Sequence, residues 1–175
     1  MSRCGTALSF LVLISACGGR PPDPPPPPGQ ASLTLGALAA DGGFSPLVDG
    51  QEVELVPGAQ GGIHVWMKLR LRGSPPGHLV ASRTARRRTD GGLVLRSTGS
   101  LEVGEPDGTG SWDAPAPTPM FMCPSPIGLR VVDESIVFEV TLSSEDGTKV
   151  ALGSVTLLPR CPASARDFCL RICTG

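Results

Sequence analysis

From residue 31 onward, apolar and polar positions alternate with a period of two. The longest run is Ile63-His64-Val65-Trp66-Met67-Lys68-Leu69-Arg70-Leu71-Arg72. Ile63, Val65, Met67, Leu69 and Leu71 fall on one face, and His64, Trp66, Lys68, Arg70 and Arg72 on the other. This predicts a half-buried antiparallel strand. A helical period of 3.6 would spread those charges into the apolar stripe. Shorter runs at 32–35, 52–55, 79–86, 93–97, 99–103 and 128–132 predict further strands. Ile136, Phe138, Val140 and Leu142 share one face of the next. Asp146-Gly147 then marks a hairpin, with a returning strand over 148–158. In that strand the phase changes at Gly153: Val150 and Leu152 precede it, Val155 and Leu157 follow. A bulge at Gly153 would restore the register. Residues 104–126 are rich in Pro and Gly and read mostly as loop.

Turn signals recur roughly every 8–12 residues, and no helix is expected before residue 160. The pattern predicts an all-β fold, an immunoglobulin-like antiparallel β-sandwich of seven to nine strands with a short C-terminal helix. Trp66 or Trp112 would supply the buried Trp of such a core. The antibody disulfide spacing is absent. A small closed β-barrel is the alternative.

The first thirty residues follow other rules. Arg3 precedes an apolar run over 5–14, too short to span a bilayer, and Ser15 and Ala16 are small. The string Ile14-Ser15-Ala16-Cys17 resembles the lipobox of bacterial lipoproteins. That resemblance implies a signal peptide over 1–16, removed by cleavage before Cys17, and lipidation of the Cys17 thiol. Palmitate-type chains would then hold the protein on a membrane, firmly once there are two or more. Gly18, in place of an Asp, points within that family to the outer membrane. Residues 17–30 form the lipidated Cys and a linker in which seven of the positions after Cys17 are Pro. Such a segment adopts polyproline II and acts as a semi-rigid spacer. Residues 31–175 form the β-domain. Its strings around Gly61-Gly62-Ile63-His64 and Met120-Phe121-Met122-Cys123-Pro124 resemble strings in lipoproteins of predatory soil bacteria. This second resemblance implies no activity.

Composition narrows the classes further. The chain has 175 residues, 23 Gly, 19 Pro and a formal net charge of −1. A long-helix bundle would need more Ala, Glu, Lys and Leu. A nucleic-acid partner would call for a basic surface, so none is expected. The Arg-over-Lys bias reads as genome composition. Cys123, Cys161, Cys169 and Cys173 make an even set in an exported domain, which predicts two disulfides. Cys169 and Cys173 stand at i, i+4 on a short helix over 163–173, in parallel, so bonding each other is poor geometry. One should reach Cys123 and the other Cys161. A zinc site would need CxxC-type knuckles, which are missing, so no metal or cofactor is expected.

Few residues carry chemistry. Gly61-Gly62 permit close backbone approach, and His64 starts the longest strand beside Trp66. These two residues are the candidate ligand-binding pair, with His78 as a further contributor, against the plainer reading of a tight turn. A blue-copper site is excluded by the want of a His after His78 near Cys123 and Met120 or Met122. Gly108-Thr109-Gly110-Ser111-Trp112 is a loop and not a nucleophile elbow. Asp133-Glu134 and Glu145-Asp146 fall at strand ends, as solvated turns do. Arg83, Arg86, Arg87 and Arg88 read as a charged edge strand that blocks unwanted pairing, with phosphate contact as the rival reading. The expected function is a lipid-anchored cell-envelope protein, not an enzyme. Its β-sandwich would serve as an interaction or structural module for another envelope protein. A small-ligand carrier is the alternative, and an envelope hydrolase ranks below it.

Overall fold

The computed structural model describes residues 31–59, 61–74 and 76–175. The expected signal peptide, Cys17 and the Pro-rich linker lie outside the described residues. The rest forms eleven strands and one short helical tail. In chain order the strands are β1 (Ser32–Leu38), β2 (Phe44–Pro46), β3 (Gln51–Glu54), β4 (Val56–Pro57), β5 (Ile63–Arg72), β6 (Gly77–Arg87), β7 (Leu93–Val103), β8 (Ser111–Asp113), β9 (Thr118–Cys123), β10 (Ile136–Ser143) and β11 (Lys149–Arg160). A 3₁₀ turn over Ala163–Ala165 leads into α1 (Arg166–Cys173).

The strands form two sheets. The first has the order β2-β1-β5-β4, with β8 and β9 both pairing β5 on its other side. The second has the order β3-β11-β10-β6-β7. This is an immunoglobulin-like sandwich and not a closed barrel. The neighbours β1, β5 and β9 follow the A-B-E order, and β11-β10-β6-β7 follow G-F-C-C′. All pairs are antiparallel except one. β3 runs parallel to β11, with Gln51 opposite Leu157. The chain therefore switches sheets at Leu55, between β3 and β4, where Leu55 N–H donates to the Arg160 carbonyl at 2.8 Å.

The inward residues of β5 are the five that alternation assigns, all buried, and they meet Ile136, Phe138, Val140 and Leu142 of β10 in one core. Several details differ from expectation. The number of strands is higher because β2, β4 and β8 are too short to show alternation and β9 lies in the Pro-rich stretch that reads as loop. Residues 128–132 form loop, and 93–103 is one unbroken strand. Neither Trp is buried. Trp66 points outward and Trp112 is half-buried, so Phe138 is the large aromatic of the core.

Gly153 holds no bulge. Ala151, Gly153, Val155 and Leu157 all face inward in one phase, and Leu152 points out. The register shift lies at Leu142/Ser143 instead. The glycine serves close packing between sheets: a Cβ there would lie 2.9 Å from the Leu33 carbonyl oxygen. The arginine run is not on an edge strand either. β6 lies between β10 and β7, and β7 is the edge. Arg83 is half-buried, Arg87 pairs with Asp90, and Arg86 donates to the Gly91 carbonyl at 3.0 Å.

Candidate functional site

The outer face of the first sheet carries the chemistry-bearing side chains of β5. At its first end, β4 turns into β5 through residues 58–62. Gly58 N–H donates to the Gly62 carbonyl at 2.7 Å, and Gly61 takes φ +84°, which an L side chain rarely adopts. The glycines flanking that position have a second use. A Cβ on Gly58 would lie 2.5 Å from His64 Cε1, and one on Gly62 would run into the Phe121 ring. Bare backbone thus lets two rings lie against the turn. His64 meets Phe121 edge-on at 5.4 Å between ring centroids, and Trp66 at 5.7 Å. The His64 Nδ1 is buried with no hydrogen-bond partner among the described residues. Trp66 and Phe121 remain 39% and 44% exposed, which leaves an aromatic platform facing solvent. Beside it an open cleft of about 370 Å³ runs between β1 and the β3–β4 switch. Leu38, Leu47, Val53, Val56 and Trp66 help to line it.

Further along β5 the outward cations are all engaged. Lys68 is buried under the 39–44 turn and its Nζ donates to the Gly42 carbonyl at 3.2 Å. Arg70 makes two bonds to Asp113, at 2.6 and 2.7 Å, under the Phe44 ring at 4.3 Å. Arg72 Nε donates to Ser111 Oγ at 2.8 Å. The hydrogen bonds from Arg70 hold the Asp113 carboxyl below its ordinary range, and Asp113 raises Arg70 in return. This row is a set of closed polar contacts. The open part of the face is the aromatic end.

The proposed partnership of His64 with His78 does not form. His64 begins β5 and His78 follows the turn after Arg72, opposite Glu102 in the second sheet. Eight residues of strand separate His64 from that turn, about 26 Å at the usual rise of ~3.3 Å per residue. No cluster of three potential metal ligands occurs among the described residues. Ser111 is buried in an Asp107 turn, and its Oγ accepts from both Arg72 Nε and Thr109 Oγ1, which occupies its two lone pairs. Asp133 binds Arg160 and Arg130, which lower its pKa, and Asp146 closes its hairpin through Ser144 and Thr148.

The cysteines pair outward as expected, Cys123 with Cys173 and Cys161 with Cys169. Cys169 and Cys173 stay unbonded to each other, with sulfurs 3.9 Å apart. The tail is further tied by Ser125 N–H to the Ile172 carbonyl and Val131 N–H to the Cys173 carbonyl, each at 3.0 Å.

The place of Phe121 and Asp113 on this face is not visible in the sequence, because both lie in the Pro-dotted stretch that reads as loop. A signal was there. Met120 and Met122 are buried while Pro119 and Phe121 are exposed, an alternation that the prolines at 115, 117 and 119 obscure. No helix among the described residues is long and apolar enough to cross a membrane.

No protein-family model matches the chain, and no curated protein matches it in sequence. Among solved structures it is similar to the N-terminal domain of PorA, at 15% identity and a TM-score of 0.29. The match covers 73% of this chain and 96% of that one.

Proposed function

We propose that the protein is a lipid-anchored component of the cell envelope, held at the outer membrane through Cys17, and that its sandwich is a non-catalytic interaction module. The observation that carries this reading is the aromatic platform: Trp66 and Phe121, both exposed, packed around His64 on a glycine turn. Aromatic side chains with rigid support are the groups that anchor protein interfaces. The partner on this reading is another envelope protein that covers Trp66 and Phe121. The test is crosslinking in native membranes with wild type and a Trp66→Ala/Phe121→Ala variant of equal abundance. Wild type should give a discrete adduct that the variant loses. Identical adducts from both would refute the platform. Cys17→Ser should abolish palmitate labelling, and persistent labelling would refute the anchor.

A second reading rests on the cleft beside Trp66. A small apolar ligand seated there would make the protein a carrier. Long-chain fatty acid as probe should then raise the melting temperature of wild type, and less so of Trp66→Ala. No shift at millimolar probe would dismiss it.

A further inference from the structure

β7 is the free edge of the second sheet. It is eleven residues long, and no strand pairs with its outer side among the described residues. Long exposed edges template pairing unless something blocks them, and the usual blocks are Pro, Lys, bulges and inward charge. Between Leu95 and Val103 the strand has neither Pro nor Lys, and its register with β6 is regular. The one irregularity lies at its start, opposite Ala85/Arg86.

The strand is also complementary to itself. Two antiparallel copies related by a two-fold perpendicular to the sheet pair like face with like face, so the axis must pass through a residue. With the axis at Gly99, residue i stands opposite residue 198 − i. On the outer face this sets Arg96 against the second copy's Glu102, twice over by symmetry, with Thr98 against Ser100 between them. On the inner face Leu95 meets Val103, and Ser97 meets Leu101. An axis at Thr98 would set Arg96 against Ser100, and an axis at Ser100 would set Thr98 against Glu102. Of these three registers, Gly99 alone pairs the charges. Arg96 and Glu102 are both exposed, and neither has an ion-pair partner among the described residues.

We infer that two copies of this chain associate edge to edge through β7, antiparallel about Gly99, into one continuous sheet of ten strands. The occupant of the edge is a second copy because the charge pattern is self-matching. On the inner face the Arg83 guanidinium lies over Gly99, 3.4 Å from where a Cβ would stand, so two such groups flank the axis. That like-charge pair weakens the association and shifts the monomer–dimer equilibrium to higher concentration.

The test uses the full chain in mild detergent, followed by sedimentation velocity across a range of concentrations. Wild type should show a reversible monomer–dimer equilibrium. Arg96→Glu and Glu102→Arg each replace two attractive cross-strand pairs by two like-charge pairs, and each should weaken the dimer about tenfold or more. Both sites are exposed, so folding should survive. An equimolar mixture of the two variants restores both pairs and should dimerise like wild type, as should the Arg96→Glu/Glu102→Arg double variant. A wild type that stays monomeric at high concentration, single variants that dimerise unchanged, or a mixture that fails to recover would each overturn the inference.

Discussion

Gly153→Ala tests how closely the two sheets approach, because its sign separates two accounts of that residue. A glycine inside a strand ordinarily costs stability, and replacing it by Ala at a compatible backbone recovers about 0.4–1 kcal/mol. Had Gly153 served only to adjust register, Ala would be neutral or stabilising. Instead the new methyl would sit 2.9 Å from the Leu33 carbonyl oxygen, 3.1 Å from Leu33 Cγ and 3.3 Å from Leu35 Cδ2. The first of these is backbone in β1, tied to β5 with Leu33 opposite Leu71, and cannot swing away. Overpacking of this kind costs about 1–3 kcal/mol. The net expectation is a loss of about 1–2 kcal/mol. For a domain of this size that lowers Tm by about 3–6 °C. Urea denaturation of the oxidised protein, followed by circular dichroism, measures it directly. Gly108→Ala is the control, since nothing lies within 4 Å of its Cβ position and its φ is ordinary. A Gly153→Ala protein as stable as wild type, or more so, would refute the close-approach argument.

The two disulfides should differ in weight. By loop-closure entropy, the Cys123–Cys173 bond, 50 residues apart, contributes about 4 kcal/mol and Cys161–Cys169, 8 apart, about 2.5. Paired Cys→Ala variants compared by urea midpoint check this, and an equal or reversed order would count against it. The Arg70–Asp113 pair should show in the pH profile. Because the fold favours ionised Asp113, its stabilisation is present above the unfolded carboxylate pKa of ~3.9 and is lost as the pH falls through the lower folded value. Asp113→Asn should therefore lower Tm at pH 7, with the gap to wild type narrowing in strong acid. A gap that stays constant from pH 7 into strong acid would contradict the assignment.

Much of the fold was legible where burial is one-sided. β5, β6 and β10 each pack a single face on the core, so the alternation of their side chains shows directly. The tail was legible because cysteine chemistry and helix geometry leave few choices. What stayed hidden was set by neighbours. The inward phase of β11 rests on Ala151 and Gly153, two residues too small to register as apolar positions, while the exposed Leu152 mimics a core residue. β9 was hidden by the prolines at 115, 117 and 119; the one inside it, Pro119, lacks an N–H, which matters little in a six-residue strand paired, among the described residues, only to β5. At the candidate site, His64 and Trp66 were readable as outward residues of a strong strand. Phe121 was not, since only the pairing of His64 with Phe121 across β5 and β9 brings them together.

The parallel strand β3 has a bearing on the order in which the molecule can be completed. Among the described residues its only strand partner is β11, about a hundred residues later, with Gln51 set against Leu157. The loop after β9 waits on the same late stretch, because Asp133 N–H donates to the Pro159 carbonyl and Val131 N–H to that of Cys173. A chain emerging from its N-terminal end can therefore form the β1–β5 and β6–β7 pairs early. It holds β3 and the 124–134 loop unsatisfied until residues 149–173 emerge. A nascent chain stalled before residue 149 should remain a target for proteases and chaperones, and emergence of residues 149–173 should close the domain.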